Sequence, residues 1–265
     1  MVKTSTLKNP KTALSICTKI ALQMAAKRNA TLWRFKVPSA LPKKTMVVGI
    51  DSSKESRYHC LAMSSSYDPH FTKYYTQVSE VKDQQKISVG IGILIVRALK
   101  RFEKETKAFL PELLVIYRDG LCETNKNSVL ISELKAILVS IEKEFTDYSP
   151  KILYALIHKK IHTRFYMNAS ECTARRSRDP NNAKLANPQP GTIVDSGIVD
   201  PRRYEFLMMP QYVNEGSGMP SRITVLYDTS KLPVVVFEEL TSALCYGYYN
   251  WQGAIRTPAP CKVCL

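Results

Sequence analysis

Asp51 and Asp119 are the side chains in this sequence best placed to do chemistry. Each follows a short apolar run, Met46-Val-Val-Gly-Ile50 and Leu113-Leu-Val-Ile-Tyr117, of the kind that forms a strand buried on both faces. Open α/β sheets place ligand sites just outside the carboxyl ends of such strands. On neighbouring strands the two carboxylates would converge, and like charges that close need a divalent cation between them. Mg²⁺ or Mn²⁺ held in this way supports in-line phosphoryl displacement. The same residues also admit a plain alternative: Asp before Ser52 and Asp before Gly120 are ordinary turn residues.

Positioning the two carboxylates requires a sheet with helices around it. Residues 12–28, after Pro10, have helical periodicity, with Ala13, Ile16, Ile20 and Met24 on or near one face. Strands are predicted at residues 46–51, 59–65, 74–78, 113–117 and 152–158, with short ones at 193–195, 205–209 and 222–227. Residues 84–107 read as a helix facing inward through Ile87, Ile91, Ile95, Ala98 and Phe102. Residues 127–145 read as another, with Leu130, Leu134, Ile137, Leu138 and Ile141 apolar, and residues 237–251 as a closing helix with an aromatic end. Residues 170–190 are polar and carry Arg175, Arg176, Arg178 and Lys184, so a solvated loop is expected. The fold class that follows is α/β: a mixed sheet flanked by helices on both faces.

Composition bounds the partner. The 265 residues carry 38 Lys+Arg against 23 Asp+Glu, a net charge of +15, with 45% hydrophobic content. That is too apolar for a disordered polycation and basic enough to favour a polyanionic partner, nucleic acid before an anionic membrane surface. No apolar run reaches the roughly 20 residues that span a bilayer, so no membrane is expected. Seven scattered cysteines fit reduced thiols better than a disulfide framework, and Cys261-x-x-Cys264 has no second pair to complete a zinc site.

Several segments, taken in order, resemble the landmarks of the PIWI domain of the Argonaute/Piwi family. They are Met46-Val-Val-Gly-Ile-Asp51, Tyr117-Arg-Asp-Gly120, Lys159-Lys-Ile-His-Thr-Arg-Phe165, Asn187-Pro-Gln-Pro-Gly-Thr-Ile-Val-Asp195 and Val225-Leu-Tyr-Asp228. Tyr248-Tyr-Asn-Trp251 with Ile255-Arg-Thr-Pro-Ala-Pro260 completes the series and resembles the Piwi branch. The resemblance implies an RNase H-like fold that holds a small guide RNA paired to complementary RNA, in RNA-mediated gene silencing, in cytoplasm or nucleus, as a monomer. It also implies tryptophan-bearing protein partners. Residues 1–34 resemble the end of a MID domain, 35–45 a linker and 46–265 the PIWI domain, so the chain reads as a fragment or shortened relative. Gln23 and Lys27 fall where the family contacts the guide's 5′-phosphate, four apart and so on one helical face. Lys159, Lys160, Arg164 and Arg256 are the other candidate RNA contacts. For Arg256 a cation–π role with Trp251 or Tyr249 stays open, as does a choice between core and base-stacking roles for Tyr248, Tyr249 and Trp251.

The departures bear on mechanism. Active members of the family hold metal with two aspartates and a histidine and insert a glutamate. Asp51 and Asp119 match the aspartates, as catalytic residues and as ligands for Mg²⁺ or Mn²⁺. Lys86 falls where the glutamate is expected, with Glu80 as its nearest rival, and Leu265 falls at the histidine position. Weak or absent target cleavage is therefore expected, with a metal-dependent endoribonuclease and a partner-binding cofactor without RNA as the alternatives.

Overall fold

The computed structural model describes residues 10–55, 58–82, 86–107, 109–119, 126–168, 185–213 and 216–263. Gly120, the glutamine pair before Lys86, the arginines of the 170–184 stretch, Cys264 and Leu265 lie outside the described residues. Helix α1 is Pro10–Lys27. Strands β1 (Thr45–Glu55), β2 (Tyr58–Ser66) and β3 (Tyr74–Val81) lead into helix α2 (Ile87–Glu105). Then come β4 (Leu113–Asp119), helix α3 (Lys126–Glu144) and β5 (Lys151–His158). A small ribbon, β6 (Met167–Asn168) with β7 (Leu185–Ala186), is followed by β8 (Thr192–Val194), β9 (Glu205–Met209) and β10 (Ser221–Asp228). Helices α4 (Val234–Leu244) and α5 (Ala259–Val263) close the chain.

One eight-stranded sheet runs β3-β2-β1-β4-β5-β10-β9-β8. Only β1, β4 and β5 are mutually parallel; their neighbours on either side pair antiparallel. The parallel strands are the continuous apolar runs, as strands covered on both faces require. Alternation along them separates two cores. Met46, Val48, Ile50, Leu114, Ile116, Ile152 and Tyr154 face α2 and α3, where Ile91, Ile95, Phe102 and Ile137 pack. Val47, Val115, Tyr117, Leu153, Ala155 and Ile157 face α4 and α5, where Phe237, Leu240 and Cys261 pack. This is the helix-flanked mixed sheet expected from the pattern.

Two expectations need correction. β1 does not end at Asp51 but continues to Glu55, because β2 goes on pairing with it after β4 has stopped. Met24 on α1 and Leu138 on α3, apolar positions of their helices, are exposed. The closing helix stops at Leu244, so the aromatic segment is not helical. Tyr246–Trp251 instead turns back to meet the N-terminal part: Trp33 Nε1 donates to the Tyr246 carbonyl at 2.8 Å and Tyr249 hydroxyl donates to the Trp33 carbonyl at 2.8 Å. The Trp33 and Tyr249 rings meet edge to face at 4.8 Å. Tyr249→Phe keeps the ring contact but loses the hydroxyl, and should lower stability by about 1 kcal/mol, read as a shifted urea midpoint with an unchanged m-value.

Candidate nucleic-acid interface and the paired aspartates

The β1–β4 ladder pairs Ile50 with Arg118, so one step on it sets Asp51 beside Asp119. Odd-numbered residues of both strands face α4 and α5, and the two carboxylates share that face. β5 lies on the other side of β4, with Ile157 opposite Asp119. Two residues beyond Ile157, Lys159 reaches the same face, and its Nζ lies 2.5 Å from Asp119 Oδ2. Asp119 is 3% exposed there while Lys159 keeps 40% of its side chain in solvent. Asp51 Oδ1 accepts the backbone N–H of Ser52 at 2.7 Å.

The opposite face holds the support. Arg118, 1% exposed, points under the sheet toward α3. Its Nε donates to Glu133 Oε2 at 3.2 Å, its Nη1 to the Asp119 carbonyl at 2.6 Å and its Nη2 to Ser52 Oγ at 3.0 Å. Tyr154 hydroxyl donates to the same Glu133 carboxylate. Burial works against the Arg118 charge, but Glu133 and Tyr154 outweigh it, and the guanidinium sits above its usual value. Burial, then Glu133, pushes the Tyr154 hydroxyl well above the usual tyrosine range. One buried ion pair thus ties the residue after Asp51 to the carbonyl of Asp119. Sequence reading missed Glu133 and Tyr154. The available signal was Arg118 itself, a charge inside a buried strand, which requires a buried partner.

The cations cluster at the end of β5. Arg256 Nη2 donates to the Lys159 carbonyl at 2.5 Å and approaches the Pro220 carbonyl at 3.5 Å, while Ser221 Oγ donates to the Arg256 carbonyl at 2.8 Å. Arg164 Nη1 donates to the carbonyls of Ile161 and Thr163, both at 2.8 Å. Burial, then Arg164, lowers the Arg256 pKa. Lys160 projects into solvent. On α1, Lys27 is exposed and Gln23 half-buried. Arg256 is thus a backbone clamp, and the cation over the Trp251 ring is Lys19, 4.8 Å from its centroid. Lys19, Tyr212, Tyr246, Trp251 and Gln252 line a 690 Å³ cleft between α1 and the closing segments.

Residues 1–264 match the sequence profile of the Piwi domain. The chain belongs to the Piwi family. Piwi-like protein 1 of Gallus gallus is 34% identical over 260 residues, which is 97% of this chain and 28% of that protein. Protein piwi of Drosophila melanogaster is 30% identical over 270 residues, covering 99% and 29%. The chain therefore spans less than a third of the curated relatives it matches. The crystal structure of Drosophila Piwi superposes with a TM-score of 0.83 at 30% identity, covering 99% of this chain and 34% of that one. Kluyveromyces polysporus Argonaute with a guide RNA superposes at 0.78 and 20% identity, over 94% and 30%, which shows the shared fold.

Against that family background the fit to a metal can be tested on the donors present. Among the described residues no three His, Cys, Asp or Glu side chains converge on one point. Glu80 is exposed on edge strand β3, separated from β1 by β2. Lys86 is exposed at the N-terminal cap of α2, and the cation that reaches Asp119 is Lys159. Mg²⁺ needs several oxygen ligands in near-octahedral geometry. One or two carboxylates with waters and phosphate commonly supply them; Asp51 and Asp119 are the two that would do so here, with Lys159 facing Asp119 Oδ2. In this Piwi domain the described residues thus offer two candidate ligands, Asp51 and Asp119, without a third His, Cys, Asp or Glu beside them.

Proposed function

We propose that this Piwi domain binds a small guide RNA and its complementary RNA in gene silencing, with little or no cleavage of its own. The observation that carries the reading is the cluster of Lys159, Lys160, Arg164 and Arg256 around the end of β5, beside the paired aspartates. Cations on a strand end supply the phosphate contacts on which such binding rests. Arg164 and Arg256 spend part of their donors on backbone, so their role is to hold the rim and its field, with Lys160 and Lys27 the freer contacts. Within this reading residues 1–34 are the end of a MID-like unit, 35–45 its linker and 46–265 the PIWI unit. The compartment is the cytoplasm or nucleus, where small RNAs are found.

The test is anisotropy titration of a 5′-phosphorylated RNA of guide length at two salt concentrations. Two to three phosphate contacts on a single strand give about a tenfold affinity loss for a fourfold rise in salt. Lys160→Ala should flatten that dependence. Salt-insensitive binding, or none, would remove the reading. A guided cleavage assay with Mg²⁺ or Mn²⁺ addresses the second reading, a slicer, which is favoured only by the match of Asp51 and Asp119 to the family's aspartates. Cutting that is lost in Asp51→Asn and Asp119→Asn would establish it.

A further inference from the structure

We propose that Glu238 is a proton-operated latch: as a neutral acid it lets the first turns of α4 close onto the ends of β8 and β9, and when it ionises that contact loosens. The inference stands apart from the guide-binding reading, because it concerns the packing of α4 and needs no RNA.

Glu238 is 8% exposed on α4, among the buried Phe237, Leu240 and Thr241. Its Oε1 is buried and has no hydrogen-bond partner. A carboxylate that deep needs a cation or several donors beside it, and without them the neutral acid is favoured. The surroundings supply negative charge instead. Asp195 directly follows β8, and burial, then Asp195, raises the Glu238 pKa. Tyr204, just ahead of β9, has its hydroxyl committed to the Val234 carbonyl at 2.9 Å, one helical turn before Glu238. Burial, then Glu238, Asp228 and Asp195, pushes that hydroxyl up, so these acids act on one neighbourhood. Asp228, at the end of β10, accepts the Ser230 N–H at 2.7 Å. Arg202 and Arg203, ahead of Tyr204, both turn to Asp200, while Lys231 before α4 and Glu239 on it are exposed.

The latch has reach. Phe237, beside Glu238, stacks on Tyr117 with ring centroids 5.8 Å apart, and Thr241 shares a 2.9 Å hydroxyl bond with the same tyrosine. Tyr117 lies on β4, two residues before Asp119. Ionising Glu238 therefore loosens a helix that also braces the aspartate strand. The folded chain holds this proton more firmly than the unfolded one. Its contribution is complete below the unfolded glutamate value and is lost as the pH rises through the raised folded value.

Carbon-13 NMR of the full chain, labelled at its glutamate carboxyls and titrated from about pH 4 to 8, tests the latch. The resonance missing from Glu238→Gln identifies the group. Its midpoint should lie above those of exposed glutamates such as Glu239, and Asp195→Asn should move it down. Amide exchange, corrected for its intrinsic pH dependence, should show the first turns of α4 opening more often in wild type as the pH rises. Glu238→Gln, which cannot ionise, should stay protected. Asp195→Asn, at an exposed position, gives the same two readings if thermal melting shows that Glu238→Gln does not fold: a lowered highest midpoint and less opening of α4 at a given pH. A Glu238 midpoint at or below those of the exposed glutamates overturns the proposal, and so does one that Asp195→Asn leaves in place. Equal pH dependence of α4 protection in wild type and Glu238→Gln overturns it as well.

Discussion

Replacing Glu133 with Ala is expected to cost about 3–5 kcal/mol of folding stability, enough to unfold a large share of an ordinary domain. The cause is the charge left behind. Arg118 is 1% exposed, and without Glu133 its guanidinium keeps only the Asp119 carbonyl and Ser52 Oγ as partners. Tyr154, 0% exposed, would lose the acceptor for its hydroxyl as well. Single removal of Arg118 should be comparably severe, because the Glu133 carboxylate would then be the buried orphan. The double variant Arg118→Met/Glu133→Leu separates charge from packing. It should recover most of the loss, because removing both members of a buried pair is often close to neutral. Urea denaturation of wild type, Arg118→Met, Glu133→Leu and the double variant gives the cycle. A near-additive double loss would mean the two side chains act independently, contrary to the observed geometry. The double variant should still alter the aspartates, since nothing then ties Ser52 to the Asp119 carbonyl.

That buried network shows what was legible in the sequence and what was not. Met46–Ile50, Leu113–Tyr117 and Ile152–Ile157 announce themselves as doubly covered strands, because burial on both faces leaves no polar alternation. Asp51 and Asp119 follow as strand-end candidates. Their partners do not follow. Whether Lys159 meets RNA or Asp119 depends on the register of β4 against β5, a long-range quantity absent from any local window. Arg256 looks like an RNA contact or a cation–π donor in isolation, yet its Nη2 is committed to the Lys159 carbonyl at the end of β5 and approaches that of Pro220. The aromatic segment after Leu244 has enough large residues to extend a helix on paper. It leaves the helix because Gly247 packs close to Phe35 and Ala259, and Tyr249 reaches the Trp33 carbonyl. Met24 and Leu138 are exposed for a related reason: periodicity finds an apolar face but not whether a neighbour covers it.

The second large effect is expected at Gly49, where one added carbon should weaken the same end of the sheet from the other side. A Cβ on Gly49 would come within 2.5 Å of Cys261 N and of the Pro260 carbonyl oxygen. Those atoms are backbone and cannot swing aside as a side-chain tip would, so α5 itself must move. α5 is held where it lies by burial of Ala259 and Cys261, 0% and 1% exposed, and by the Cys261 thiol over the Tyr117 carbonyl. Displacing it exposes that apolar surface and loosens the packing on β1 and β4. Gly49→Ala should therefore cost about 3 kcal/mol, the upper end for overpacking a close-packed site. Hydrogen exchange gives the diagnostic detail: faster exchange should concentrate in α5 and the Asp51 end of β1, with the α2–α3 face unchanged. Cys261→Gly, which shortens the α5 side chain but not its backbone, should not rescue the variant. A fully stable Gly49→Ala would mean that α5 can retreat freely, and that the face carrying Asp51 and Asp119 is less tightly closed than its contacts imply.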